Sequence, residues 1–221
     1  AISKCQFIYN ETYFTNFHTD KFTTSNLLPK GLHLRQYVRP AFYNRTREKL
    51  LQFCQIDLDK IGRLYPLMIQ NMISQKLIVD SGFISLDYYI FKQAMSQDKV
   101  LSGIETYDEQ MLIFHKISMR DQLNMLKQFL SHLTKSKKQI ERLSKLFVEG
   151  EIHKLYQLSS KQLGSYRSLL IYDRNRIMAD RISKLLNPTY LQLFAIGAGH
   201  LSGEFGLIHL LQLKGYSLKP V

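Results

Sequence analysis

Apolar positions in this chain follow two rhythms: short unbroken runs closed by turn residues, and longer stretches spaced by three or four. The runs read as strands. Cys5-Gln-Phe-Ile-Tyr9 is the first, ahead of a polar loop rich in Thr, Asn and Ser. Lys99-Val-Leu-Ser-Gly-Ile104 suits a buried strand, and Leu191-Gln-Leu-Phe-Ala-Ile196 is a third, stopped by Gly197-Ala-Gly-His200. Tyr216-Ser-Leu218 is expected as a short final strand. The spaced stretches predict helices over 40–53, 67–77, 87–95, 121–133, 140–147, 174–186 and 207–213. The clearest is 121–133, where Leu123, Leu126, Leu130 and Leu133 recur at i, i+3, i+7 and i+10.

End signals accompany several of these helices. Pro40 and Pro66 suit first turns, and Leu27-Leu-Pro-Lys-Gly31 is turn chemistry. Thr106 with Glu109 three residues on reads as a capping box for a helix after the second strand. Pro188 ends the helix from 174, and Gly215 is a natural cap for 207–213. The pattern predicts an α-rich α/β fold: many helices around a small mixed sheet, closing in a strand–turn–helix–strand unit. With no internal repeat and no linker, residues 1–221 are expected to form a single domain.

Composition adds limits. A length of 221 residues with 45% hydrophobic residues can build a real core, and 13 Tyr and 13 Phe against few Gly and Pro exclude disorder. No apolar run reaches the roughly 18 to 20 residues that cross a bilayer, so no transmembrane segment is expected. The net charge of +12 attracts anionic surfaces, but the cations are spread, and the densest cluster is only Lys135, Lys137 and Lys138. Without zinc-finger spacing or an RNA-binding aromatic signature, a solvated basic surface is expected rather than sequence-specific nucleic-acid binding. Cys5 and Cys54 could pair, but neither sits in metal-like spacing. The chain starts at Ala1 without Met and without a charged-then-apolar leader, so a processed or truncated start is expected.

Chemistry concentrates near the C-terminus. His200 follows the end of a strand, the edge at which open α/β sheets bind ligands, and the small residues at 197, 198 and 199 leave room beside it. Imidazole there is a metal ligand or a general base, or alternatively a structural hydrogen-bonding group. Glu105 ends the second strand on the same edge, as a metal ligand, base or helix-dipole charge. Glu11 follows the first strand in the same topological position. Arg174-Asn175 opens a helix and could grip a carboxylate, or form a surface pair. The glycines miss both G-x-x-x-x-G-K-[ST] and G-x-G-x-x-G, so no nucleotide is expected. Ser202 lacks G-x-S-x-G and a His-Asp order, and His153 and His209 are expected to pack or face water.

Read together, these pieces resemble the TraB/GumN family, which includes the Tiki proteases and is distantly similar to erythromycin-esterase and ChaN proteins. The stretch from Phe194 through Gly197-Ala-Gly-His200 and Leu201-Ser-Gly-Glu-Phe-Gly-Leu207 to Tyr216 is similar to the family's closing G-x-x-H segment. Leu27-Leu-Pro-Lys-Gly31, Leu86-Asp87, Val100 to Gln110 and Asp173-Arg-Asn175 agree in order. The resemblance implies a divalent-metal hydrolase acting on a peptide or amide bond, with Mn, Co or Zn as the ion. It implies that His200 and Glu11 hold the metal, that Glu105, Arg174 and Asn175 serve catalysis, and that Gly197 and Gly199 line the substrate crevice. It also points to an exported or membrane-associated setting. The family pattern opens with a first G-x-x-H. His18 and His33 do not supply it, because Thr15 and Lys30 stand three residues before them. The domain is therefore expected to be N-terminally incomplete, with activity weak or nil if that half-site is absent, and with an open sheet edge that favours a homodimer. The alternative is a non-catalytic binding protein using the same crevice or the basic surface.

Overall fold

A computed structural model of the chain describes residues 2–13, 25–78 and 85–220. Most of the Thr-, Asn- and Ser-rich loop after the first strand lies outside the described residues, as do Thr15 and His18. The strands are β1 (Phe7–Thr12), β2 (Val100–Glu105) and β3 (Gln192–Ala195). The helices are α1 (Pro40–Cys54), α2 (Leu58–Ile61), α3 (Pro66–Ile78), α4 (Leu86–Met95), α5 (Tyr107–His115) and α6 (Met119–Ser131), then α7 (Leu133–Val148), α8 (Ile152–Leu163), α9 (Asp173–Leu185) and α10 (Leu207–Leu213). The fold is an α-rich α/β fold. The described residues fall into two compact units, one within 1–16, 84–113 and 143–221, the other within 17–83 and 114–142.

The first unit holds the sheet, in the order β2-β1-β3 with both pairings parallel. The sheet is therefore parallel rather than mixed. The expected fourth strand at 216–218 does not join it. α10 ends in a paired cap, with Tyr216 N–H donating to Leu211 O and Gly215, at φ +89°, donating to Gln212 O. Tyr216 then lies among the residues packed on the α9–α10 core, its hydroxyl 3.4 Å from Ser183 O, so that residue serves as a side-chain anchor. The closing unit is strand, turn and helix.

Alternation along β1 decides which side faces what. Ile8, fully buried, packs with Cys5 and Ala94 of α4, while Tyr9 packs with Ile104, Met178, Ile182 and Leu207, beneath α9 and α10. Tyr9 also stacks on its register partner Phe194, with ring centroids 4.8 Å apart. Glu11, two residues on, shares Tyr9's face. β2 is an edge strand, and its buried end is Ile104-Glu105 rather than the whole run.

The capping box forms as the sequence predicts: Thr106 N–H donates to Glu109 Oε2 at 2.8 Å and Glu109 N–H to Thr106 Oγ1 at 3.2 Å. Arg181 of α9 adds two bonds to Glu109 and one to Ile104 O. Hydrogen bonding from Arg181 is the chief reason the Glu109 carboxyl is held down to about 2. Because that value lies below the unfolded one, the contribution is present at neutral pH and lost as pH falls through about 2. Glu109→Ala is expected to lose about 1–2 kcal/mol in urea denaturation at pH 7, a lost cap plus a half-exposed ion pair. A loss below the error of the measurement would show that the box contributes nothing.

The second unit is helical. Its core joins Tyr43 and Leu50 of α1, Ile69 and Ile73 of α3, and Leu123, Leu126 and Leu130 of α6 with Leu133 at the start of α7. Leu27 and Leu64 meet in an isolated antiparallel bridge. Cys5 and Cys54 are both buried free thiols and do not pair. Among the described residues no helix is long and apolar enough to cross a membrane.

Candidate functional site

The C-terminal ends of the three parallel strands share one edge. There the register pairs Thr12 with Glu105, so Glu11 and Glu105 arrive on adjacent strands one residue out of step. On the other side of β1 the chain leaves β3, passes Gly197 and makes a short 3-10 turn, Ala198–His200. Gly197 N–H donates to Glu11 Oε2 at 3.1 Å, and a Cβ at Gly197 would stand 3.0 Å from the same oxygen. The backbone thus approaches the carboxylate closely at 197, and a side chain there would push the Glu11 carboxylate aside. A Cβ at Gly199 would meet nothing within 4 Å, so that position borders open space.

Arg174 enters from the first turn of α9. The preceding segment, Ser168–Tyr172, is π-helical, and Arg174 Nη1 donates to Leu170 O at 3.2 Å. Its Nε donates to both oxygens of Glu105 at 3.1 Å, and its Nη2 lies 2.5 Å from Glu105 Oε2 and from Glu11 Oε1. Glu105 is 4% exposed, so this is a buried ion cluster in which one guanidinium serves two carboxylates. Burial acts to lower the Arg174 pKa, but Glu105 and Glu11 outweigh it and keep the group protonated. Burial likewise pushes the Glu11 carboxyl up. The positive charge of His200 when protonated, the Arg174 guanidinium and the Gly197 N–H together hold it below the usual carboxylate range.

Asn175 fixes the state of His200. Its Nδ2 donates to His200 O at 3.1 Å and to Phe205 O at 2.6 Å, which uses both amide hydrogens and turns Oδ1 toward the imidazole. His200 Nδ1 lies 2.6 Å from Oδ1 and so must carry the proton. The Nε2 lone pair therefore faces the cluster, where it accepts from Arg174 Nη1 at 3.3 Å and stands 3.8 Å from Glu11 Oε1. Burial lowers the His200 pKa, with Glu11 opposing and Arg174 reinforcing, so the ring is neutral near pH 7.

The structure thus brings Glu11, Glu105, Arg174, Asn175, Gly197 and His200 together. Sequence reasoning missed Gln110. From α5 its Nε2 donates to Glu11 Oε1 at 3.3 Å and to Glu105 Oε2 at 3.4 Å, bridging the two carboxylates. The only signal was its place just inside the capping box. Asp87, in the first turn of α4, is raised by burial and then by Glu11, so the acidic field reaches it. His153 does more than pack or face water: Gln157 Nε2 donates to its Nε2, leaving Nδ1–H to donate to Ser202 Oγ. In that orientation it is not a base for Ser202. His209 is exposed on α10.

Chemically, two carboxylates and an imidazole lone pair converge on a buried positive charge. These are suitable donors for Mn, Co or Zn. Among the described residues, however, no group of three His, Cys, Asp or Glu side chains has metal-holding geometry.

The chain is 27% identical to a protein named Metalloprotease TIKI homolog from Amphimedon queenslandica, over 89% of this chain and 48% of that protein. It is 24% identical to a Metalloprotease TIKI homolog from Nematostella vectensis, over 100% of this chain and 59% of that protein. It is 22% identical to Metalloprotease TIKI1 from Danio rerio, over 99% and 56%. The chain thus spans about half the length of these relatives. No solved structure matches it. The pattern of the TraB/PrgY/gumN family matches residues 1–220, and the chain belongs to that family.

Proposed function

We propose that this chain carries a divalent-metal hydrolase centre for peptide or amide bonds, built on Glu11, Glu105, Arg174, Asn175 and His200. One observation carries the reading: the His200 Nε2 lone pair and the two glutamates converge at the C-terminal edge of the sheet. The donor chemistry fits a metal, and the cleft already holds a cation, the guanidinium, between the carboxylates. His200 Nε2 and Glu11 would hold the ion, with Glu105 as a third ligand or a base. Such an ion, when bound, lowers the pKa of water and polarises a carbonyl.

The remaining roles belong to the chain. Asn175 locks the His200 tautomer that presents Nε2. Gly197 N–H and Gln110 hold Glu11 in position, and the Glu105 carboxylate can take a proton from water. Arg174 supplies positive charge for the oxyanion that develops on the carbonyl. Gly199 borders open space at the edge, room for an extended peptide, whereas Gly197 is closed against Glu11. A specific observation favours a second reading, a non-catalytic binding protein: Arg174 and Gln110 already satisfy the buried Glu105, as in a purely structural hub.

The test is elemental analysis of purified protein together with peptide hydrolysis in added Mn, Co or Zn, for wild type and His200→Ala. The expected result is near-stoichiometric metal and an activity that falls by at least about 100-fold in the variant while its circular dichroism is unchanged. A folded wild type that takes up none of the three ions and cleaves no peptide would favour the binding protein.

A further inference from the structure

The buried Glu105 and the part-buried Glu11 face one built-in cation. Arg174 uses Nε, Nη1 and Nη2 here, and the atoms it holds are Glu105 Oε1 and Oε2, Glu11 Oε1 and His200 Nε2. These are the donors on which the metal reading draws. The guanidinium donates to one oxygen of each carboxylate and so occupies lone pairs on which a second cation would draw. Two unshielded positive charges in contact at a buried site would also repel strongly.

We propose that Arg174 is an internal counter-cation that closes the pocket to divalent ions, so that an ion enters only in exchange for the guanidinium. This rests on the cation-binding reading above and adds regulation to it. The affinity of the site is the difference between the holds of two cations on Glu11 and Glu105. The wild type should bind an ion more weakly than its donor set alone would allow. Gln110 contacts the same two carboxylates without charge, so it separates competition from mere loosening of the site.

The experiment is calorimetric titration of the metal-stripped full chain with Mn²⁺, with thermal melts in parallel. Arg174→Gln is expected to bind Mn²⁺ at least about tenfold more tightly than wild type, one charge in a buried pair being worth more than 1.4 kcal/mol. Its melting temperature should be low without the ion and recover with it. Gln110→Ala, which loosens the same two carboxylates without removing a charge, should not tighten binding, and His200→Ala added to Arg174→Gln should abolish the tight binding. Equal affinity of wild type and Arg174→Gln, both needing His200, would overturn the exchange and leave the metal reading intact. No binding by any variant would overturn both. If Arg174→Gln does not fold without the ion, recovery of its melt by Mn²⁺ supports the exchange. Arg174→Lys, with fewer donors, should then bind between the two, and affinity at or below wild type would overturn the proposal.

Discussion

Arg174→Met is expected to remove about 3–5 kcal/mol of folding stability from the metal-free protein at pH 7, the usual effect of deleting one partner of a buried ion pair. The side chains involved are 12% exposed for Arg174 and 3% for Glu105, so little water reaches the carboxylate left behind. Glu11 would lose its principal partner in the same step. Acid should narrow the difference. In the wild type the Glu11 carboxyl titrates below its unfolded value, so its contribution is present at neutral pH and lost as pH falls through the folded value. Without the guanidinium, burial dominates and the carboxyl titrates higher, so the variant recovers by binding a proton. Urea denaturation at pH 7 and near pH 4 would measure both parts. A loss under about 1 kcal/mol, or an equal gap at the two pH values, would mean that the pair does not govern the site.

Asn175→Ala is expected to remove a comparable amount, about 3–5 kcal/mol, from three buried hydrogen bonds lost together. The side chain is 0% exposed, and its removal leaves His200 O, Phe205 O and His200 Nδ1–H without partners. Asn175→Asp should not restore stability, because a carboxylate can keep the imidazole bond but donates nothing to the two carbonyls. Denaturant melts of both variants decide this. An aspartate variant as stable as wild type would show that the carbonyl bonds are dispensable. The depressed His200 pKa carries its own sign: a neutral buried ring contributes fully above the unfolded value near 6.5 and loses that contribution as pH falls through the folded one. With Glu11 shifted in the same direction, the cluster should be firmest near neutrality and weaken in acid.

Much of this was legible in the chain. β1, β2 and β3 each overlap an expected apolar run, though β1 extends past Tyr9 through Asn10, Glu11 and Thr12, and Leu123, Leu126 and Leu130 face the core as their spacing requires. Thr106 and Glu109 named their own cap, because capping is a local bond between residues three apart. The site edge could be found because residues that end parallel strands share one side of a sheet. Other features depend on partners distant in sequence. Helix α8 is legible only as a helix around His153, without bounds: its buried positions are only Leu155 and Ser160, and Glu151 supplies no side-chain cap to announce it. Ile177 reads as a core position, yet 47% of it is exposed, whereas the polar Asn175 is the buried one. No spacing rule shows that Gln110 bridges two glutamates, or that Arg174 lies between them. Those facts depend on how α5 and α9 seat against the sheet.

The central claim, that His200 offers its Nε2 lone pair to the glutamate edge, is tested most directly by ¹⁵N NMR of the imidazole in metal-free protein near pH 7. The expected spectrum has a protonated Nδ1 and a bare Nε2 for His200, assigned by its disappearance in His200→Ala. A protonated Nε2 with a bare Nδ1 would turn the lone pair toward Asn175, remove the imidazole from the cation site and contradict the account.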